Sequence, residues 1–398
     1  MRRQEERTVP TTIRRKTFWT RLKRRVARRI GCRSARRQSG RTIKLGLIGL
    51  GGAANWKLDE IVACPDLTLE AVCDTQPEAI AAVLRKHRVP HVFDDHRSLL
   101  ALRELDGVII STPNALHCPI SLDALAAGKH VLCEKPLALN ADEARRMVEA
   151  AGESCRQALV HFPYRLSAEA QFARRLIAEG RLGRPYHLSI VYAHGGWYAE
   201  DGRLRDAPGV GGWRADRRLA GSGVLSDLGS HALDLARSWL GDADSISASL
   251  IHHGNDGPDG IDDTASYRVR YQSGVIGTFV SSRCHTGRHQ HFEAELYGSR
   301  GAFRLSPGTF HWFETKTGCW MEVAVPQGFG RSIITQFVRA ILGRTPETAT
   351  FDDGFRVQEL LDAAIRSNDQ QREVRLEPGQ QVSDWANERA GNVVMSVP

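Results

Sequence analysis

A glycine-rich turn near residue 50 most constrains how this chain can fold. The segment R41-T-I-K-L-G-L-I-G-L-G-G-A-A54 is a short β-rich run that breaks into glycines, and Gly49, Gly51 and Ala54 fit the spacing G-x-G-x-x-G/A. In that pattern the first glycine makes a tight turn, and the second lets the backbone approach a pyrophosphate. The pattern is weak by itself, so its meaning depends on the residues around it.

The residues after the turn supply that context. Trp56 to Cys64 can continue as a helix, L67-T-L-E-A-V-C73 alternates as a strand, and Asp74 follows that strand. An acid about 20 residues beyond the glycines is placed to accept hydrogen bonds from the ribose of an adenosine, which favours NAD over NADP. Together these elements predict a dinucleotide site.

Strands and helices continue to alternate beyond this unit. The predicted segments are a strand at 107–114, a helix at 115–127, a strand at 130–133, a helix at 140–153 and a strand at 157–162. Such alternation predicts a parallel sheet with helices on both faces. Because ligands of these sheets bind beyond the carboxyl ends of the strands, Asn114, Glu134 and Lys135 are expected to face the cofactor.

The pattern changes after residue 163. Runs that predict strands follow one another at 245–252, 263–271, 274–282, 291–297 and 301–305. Successive strands indicate a mostly antiparallel sheet in a second, α+β domain. The predicted boundaries are an arm at 1–40, a Rossmann domain at 41–163, the second domain at 164–378 and a tail at 379–398.

The segment G221-S-G-V-L-S-D-L-G-S-H-A-L-D-L-A236 between these regions predicts a helix. Its leucines form an apolar stripe, while Asp227 and His231, at i and i+4, share another face. The glycines before the helix would let a ligand approach its first turns.

Positive charge is concentrated in the first 40 residues, which contain 15 Lys and Arg against two acids. Removing these from the totals of 54 basic and 46 acidic residues leaves 39 and 44, so the remainder is mildly acidic. I13-R-R-K-T-F-W19 resembles a twin-arginine signal, but basic residues at 21–29 stand where an apolar region of roughly 7 to 15 residues is required. The arm is therefore either a basic amphipathic helix, suited to an anionic membrane or nucleic acid, or a solvated tail.

The eight cysteines form no CxxC pair, so they are expected to be buried thiols of a reducing compartment, the cytoplasm. The segment C284-H-T-G-R-H-Q-H291 has no carboxylate or second cysteine to complete a regular ligand set, so no metal is expected. No segment has the roughly 18 unbroken apolar residues of a membrane span.

Several motifs in this order resemble the glucose-fructose oxidoreductase / inositol dehydrogenase (Gfo/Idh/MocA) family, over residues 42–378. They are G49-L-G-G-A-A54, S111-T-P-N-A-L-H117, A127-G-K-H-V-L-C-E-K-P-L-A138, G212-W-R214, A220-G-S-G-V-L-S-D-L-G-S-H-A-L-D234 and F351-D-D-G-F-R-V-Q-E-L-L-D-A-A364.

The resemblance implies a Rossmann domain followed by a domain with a large open sheet, often used in homodimers or homotetramers. It implies an NAD-dependent oxidoreductase that transfers a hydride between the nicotinamide and a secondary hydroxyl of a sugar, sugar derivative or inositol. Two alternatives are an NAD-dependent glycoside hydrolase of the same family and a nucleotide-binding regulatory protein.

The resemblance also assigns the site residues. Lys135, Asp227 and His231 become catalytic: His231 accepts the proton, Lys135 stabilises the developing alkoxide, and Asp227 orients the imidazole or shares in the proton path. The Lys135-Pro136 peptide bond is expected to be cis. Predicted cofactor contacts are Gly49, Gly51, Gly52, Ala53, Ala54, Asp74, Thr112, Pro113, Asn114, His117, Glu134 and Lys135. Predicted substrate contacts are Tyr164, Arg165, Trp213 and Arg214, with the insert between His194 and Arg214 shaping the substrate pocket.

Overall fold

The computed structural model describes residues 42–195, 212–253, 261–287 and 290–376. The predicted basic arm, the tail, most of the insert before Trp213, and His289 lie outside the described residues. Within the described part of the chain, none of the helices has the length and apolarity needed to cross a membrane.

The first sheet consists of short strands that are largely buried, except for the strand His91–Phe93 at one edge. They are β1 (Ile43–Ile48), β2 (Leu67–Cys73), β3 (His91–Phe93), β4 (Gly107–Ile110), β5 (His130–Glu134) and β6 (Ala158–His161). Every neighbouring pair is parallel, and the order is β3-β2-β1-β4-β5-β6. This is the doubly wound order of dinucleotide-binding sheets, in which ligands bind where the order reverses, at the carboxyl ends of the strands.

The second sheet is larger and its strands are β7 (Pro185–Ala193), β8 (Ala243–Ile251), β9 (Thr264–Tyr271), β10 (Ile276–Ser282), β11 (His291–Gly298), β12 (Gly301–Ser306), β13 (Thr309–Glu314), β14 (Cys319–Glu322) and β15 (Val374–Arg375). Its order is β14-β13-β12-β11-β7-β10-β9-β8-β15. All pairs are antiparallel except the central pair β7 and β10. The predicted fold class, a Rossmann domain followed by an α+β domain with a large, mostly antiparallel sheet, is confirmed.

The helices surround these sheets. They are α1 (Gly52–Ala63), α2 (Pro77–Leu84), α3 (His96–Leu100), α4 (His117–Ala126), α5 (Ala141–Ser154), α6 (Ala168–Ala178), α7 (Arg217–Ala220), α8 (Ser230–Leu240), α9 (Ile333–Ile341) and α10 (Phe351–Gln370). Short 3₁₀ turns occupy Asn114–Leu116, Tyr164–Leu166 and Gly212–Ala215. The longest helix, α10, begins with a capping box between Thr350 and Asp353, which satisfies backbone groups at its amino terminus.

Packing crosses the predicted boundary between the domains. Helix α9, which lies within the predicted second domain, buries Ile334 and Phe337 in a core cluster with Leu45 and Leu58 of the first sheet and α1. The boundaries drawn from the sequence stay predictions, since a late helix completes the early core.

The cysteines differ from expectation at two positions. Of the described cysteines, Cys155 and Cys319 are exposed. The prediction of buried thiols is wrong for these two, because Cys155 follows the end of α5 and Cys319 lies on the edge strand β14.

Candidate functional site

The glycine turn connects β1 to α1 at the centre of the first sheet. Gly49 has φ +87°, and a Cβ there would lie 2.6 Å from the carbonyl carbon and oxygen of Ser111, so this position requires glycine. A Cβ on Gly51 or Gly52, by contrast, would meet no atom of the described residues within 4 Å. The turn thus leaves open space in front of the α1 amino terminus, where backbone N–H groups favour an anion such as a pyrophosphate.

The predicted alanines follow on α1. Ala54 is fully buried against the first sheet, which allows close packing of helix and strands. Ala53 lies on the same first turn of α1.

Asp74 joins the end of β2 to the glycine turn. Its Oδ2 accepts a hydrogen bond from the Leu50 backbone N–H at 2.6 Å, and its Oδ1 accepts one from the Gln76 N–H at 2.9 Å. The carboxylate therefore lies at the open cleft as predicted, but it also fixes the turn itself. Asp94 and Asp95 line the same end of the cleft.

Some of the residues predicted in the loop after β4 line the cleft, whereas one of them is buried beneath it. Thr112 and Pro113 line the cleft, and Asn114 lines it while donating to the Ala220 carbonyl at 3.0 Å. His117 is fully buried, with Nδ1 2.8 Å from the Pro136 carbonyl and Nε2 3.0 Å from the Thr112 carbonyl. The imidazole of His117 therefore bridges two loops and does not line the cleft in the described structure, and its role as a cofactor contact stays a prediction.

Glu134 lies at the end of β5 in a buried ionic cluster. Lys57 of α1, which is fully buried, forms an ion pair with Glu134 and donates to Ser111 Oγ at 3.2 Å. His161 Nδ1 lies 2.9 Å from the same carboxylate. Burial by itself would raise the pKa of Glu134, but Lys57 and His161 hold the pKa well below its usual range. The cluster joins α1, β4, β5 and β6 under the cleft.

Lys135 and Asp227 meet at the other end of the cleft. The Lys135-Pro136 peptide bond is cis. Lys135 Nζ donates to Asp227 Oδ1 and to the Asp227 carbonyl, both at 2.8 Å, while Arg283 Nη2 donates to Asp227 Oδ2 at 2.9 Å. Burial raises the pKa of Asp227, but Lys135 and Arg283 together hold the pKa well below its usual range.

The segment that holds Asp227 is not the regular helix predicted from the sequence. It consists of α7, a break at Gly221 with φ +85°, a π-helical turn at Leu225–Gly229 and then α8. A Cβ on Gly223 would lie 1.8 Å from the Asp262 carbonyl oxygen, and the Asp262 carboxylate accepts bonds from the Gly223 and Leu225 N–H groups. At Gly223 the close approach is made by this chain and not by a ligand, which corrects the expectation for that glycine.

His231 lies behind this pair in an aromatic pocket. Its ring centroid is 5.1 Å from that of Tyr164 and 5.8 Å from that of Tyr192, and its Nδ1 has no hydrogen-bond partner among the described residues. Burial, with the nearby Lys135 ammonium, holds the pKa of His231 well below its usual range, so the imidazole is neutral at neutral pH. Asp227 was expected to orient this imidazole or share in the proton path, but in the described structure its carboxylate accepts from Lys135 and Arg283 and not from His231.

The predicted substrate contacts divide into two groups. Trp213 and Arg214 line the cleft and stack on each other, with the guanidinium carbon 4.5 Å from the ring centroid. Tyr164 packs beside His231. Arg165 is turned away from the cleft, because its guanidinium forms a buried ion pair with Asp234 of α8. The structure therefore does not place Arg165 on the cleft wall, and its role as a substrate contact stays an untested prediction.

Four site residues have no motif that marked them in the sequence, namely Lys57, His161, Tyr192 and Arg283, while His194 was marked only as the start of the predicted insert. The strand β7 brings Tyr192 and His194 to the site, and β10 brings Arg283. The signal that could have found β7 is its partial alternation of buried residues, PYHLSIVYA.

These elements enclose a cleft of about 520 Å³ that runs from the glycine turn to Lys135 and Asp227. Fold and cleft define the class: this is a Rossmann-fold dinucleotide-binding protein whose second domain contributes to the same cleft. Residues 43–162 match the model of the oxidoreductase family with an NAD-binding Rossmann fold, and residues 170–304 match the GFO/IDH/MocA C-terminal domain. The chain belongs to the Gfo/Idh/MocA family of oxidoreductases.

Named relatives agree with that membership. The chain is 31% identical to 1,5-anhydro-D-fructose reductase of Ensifer adhaerens, over 78% of this chain and 91% of the relative. It is 27% identical to levoglucosan dehydrogenase of Pseudarthrobacter phenanthrenivorans, over 75% of this chain and 87% of the relative. A solved structure of levoglucosan dehydrogenase in complex with NADH has a TM-score of 0.77 at 24% identity and covers 84% of this chain and 99% of that one, a likeness of fold.

Proposed function

We propose that this protein is an NAD-dependent dehydrogenase that transfers a hydride between the nicotinamide and a secondary hydroxyl of a sugar, sugar derivative or inositol. The observation that carries the proposal is the cleft itself, which has open space before α1 at one end and Lys135 and Asp227 at the other, with His231 buried close to that pair. Relatives named as sugar and inositol dehydrogenases support this substrate class. We further propose a cytoplasmic homodimer or homotetramer, supported by the large second sheet and by a hollow on it that serine, threonine and apolar side chains line.

The preference for NAD over NADP rests on charge at the adenosine end. Asp74 is held with its carboxylate at the cleft, and Asp94 and Asp95 lie beside it. Three carboxylates would repel a 2′-phosphate, whereas a ribose hydroxyl can donate to one of them. The residues present therefore fit NAD.

In the proposed chemistry, NAD held at the glycine turn and Asp74 would supply the hydride acceptor, while the side chains of the protein take the proton and stabilise the charge. Neutral His231 accepts the hydroxyl proton, because a base must be unprotonated to do so. Lys135 stabilises the negative charge that develops on the substrate oxygen. Trp213 and Arg214 contact the substrate from the cleft wall, and Tyr164 fixes the imidazole by packing.

The test is NADH formation by the full chain with a panel of sugars, anhydrosugars and inositols, run in parallel with NADP. We expect stoichiometric NADH with at least one member of the panel and a lower kcat/KM with NADP. Glycoside cleavage without net NADH formation would instead favour the hydrolase alternative. Absence of both reactions across the panel would contradict the proposal.

A further inference from the structure

Arg283 is a buried cation that the second sheet delivers to the cleft. It follows β10, which pairs in parallel with β7 so that Ser282 lies beside Ala193, and the Arg283 N–H donates to the Asp263 carbonyl at 2.8 Å. Only 3% of its surface is exposed. Because β7 and β10 are neighbours at the centre of the sheet, the position of Arg283 is fixed by the core of that sheet.

One carboxylate is divided between two cations that come from different sheets. Asp227 Oδ1 binds Lys135 from the loop after β5, and Asp227 Oδ2 binds Arg283 from the end of β10. A guanidinium keeps its charge at any working pH, whereas a buried carboxylate left with one cation protonates more readily. Arg283 therefore acts on Lys135 through Asp227.

We infer that Arg283 is a positioning residue that holds the Asp227 carboxylate in place as the counterion of Lys135. The inference rests on the proposed function for its catalytic readout. Without Arg283, the carboxylate can rotate or protonate, and Lys135 then loses its Oδ1 acceptor. Lys135 would sample other positions and stabilise the substrate oxygen less well.

Several charged or titratable side chains act on Asp227 or are affected by its charge: Lys135, Tyr192, His194, Arg214, His231 and Arg283. Arg214 favours the ionised form of Asp227 as Arg283 does, but the bond to Oδ2 is made by Arg283. Loss of Arg283 should raise the pKa of Asp227, so the acid limb of the kcat profile should move to higher pH.

The experiment compares Arg283→Met and Arg283→Lys with wild type and with Arg304→Met, an exchange of the same kind on the distant strand β12. We expect Arg283→Met to lower kcat by about tenfold or more and to move the acid limb upward by about one pH unit. Arg283→Lys should restore part of both, and Arg304→Met should match wild type. A wild-type pH profile in Arg283→Met would overturn the inference.

A second measurement does not depend on turnover. It is a double-mutant cycle in which melting temperatures are measured at neutral pH. We expect Arg283→Lys to lower the melting temperature of the wild-type protein but to have little effect in the Asp227→Asn variant, because the ion pair between residues 283 and 227 is already broken there. An equal decrease in melting temperature with and without Asp227→Asn would overturn the inference. If the wild-type protein shows no activity with the substrate panel but the two substitutions are non-additive in melting temperature, the result would count against the proposed function and not against the role of Arg283.

Discussion

The protonation state of His231 is the residue-level property on which the proposed chemistry depends. Its buried, neutral imidazole predicts that His231→Gln lowers kcat by roughly 10² to 10⁴. The acid limb of the pH profile should become shallower, because His231, one of the two groups that become protonated as pH falls, has been removed while Asp227 remains. Single-turnover hydride transfer with saturating NAD measures this directly. His311→Gln, on β13, is the matched control, and a rate within about threefold of wild type in His231→Gln would exclude the histidine.

The Asp74 carboxylate has two roles, the proposed contact with the ribose and the stabilisation of the glycine turn, and a single substitution affects both. Asp74→Ser should raise KM for NAD and reduce the preference for NAD over NADP, because the carboxylate that accepts from the ribose and its negative charge are lost. The Leu50 and Gln76 N–H groups also lose their acceptor, so we expect a lower melting temperature. Steady-state kinetics with both cofactors and thermal unfolding test the two effects, with exposed Asp66→Ser as control. Wild type that prefers NADP would show that the assigned role is wrong.

The glycine turn, as an element, makes opposite predictions for its two glycines. Gly51→Ala places a methyl group in open space, so the fold should be unchanged while NADH binding weakens, by about tenfold or more if the methyl displaces the pyrophosphate. Gly49→Ala meets the Ser111 backbone at 2.6 Å with a positive φ, so the free energy of unfolding should fall by about 2 kcal/mol or more. Thermal unfolding and NADH titration of both variants distinguish these outcomes. Unchanged NADH affinity in Gly51→Ala would contradict the assigned cofactor position.

At the scale of the whole molecule, charge separates the arm from the rest of the chain. Deleting residues 1–40 removes 15 basic and two acidic residues and changes the formal net charge from +8 to about −5, the difference between the remaining 39 basic and 44 acidic residues. We expect turnover and melting temperature to be retained, while salt-sensitive binding to anionic vesicles or to nucleic acid is lost. Loss of folded, active protein on deletion would show that the arm is part of the folded enzyme.

Features set by local backbone chemistry were predictable from the sequence. The glycine turn, the strands and helices up to β6 apart from β3 and the two helices beside it, and the five strands β8 to β12 of the second sheet follow from residue types within a few positions of one another. Asp74 could be placed in the same way, because the strand before it ends at the edge of the sheet where ligands bind. These predictions needed only the periodicity of buried residues and the conformational freedom of glycine.

Only the tertiary structure decided which charged side chains face the cleft and which are neutralised by one another. Lys57 meets Glu134 across 77 residues, Arg283 meets Asp227 across 56, and Arg165 meets Asp234 across 69. A buried charge is stable only beside an opposite charge, and the tertiary structure decides where that charge lies. For this reason Arg165 points away from the cleft and Arg283 points into the site, and neither orientation was predicted. The local sequence determines the helix, strand or turn on which a residue lies, whereas the packing of distant elements determines which groups its side chain contacts and hence its chemistry.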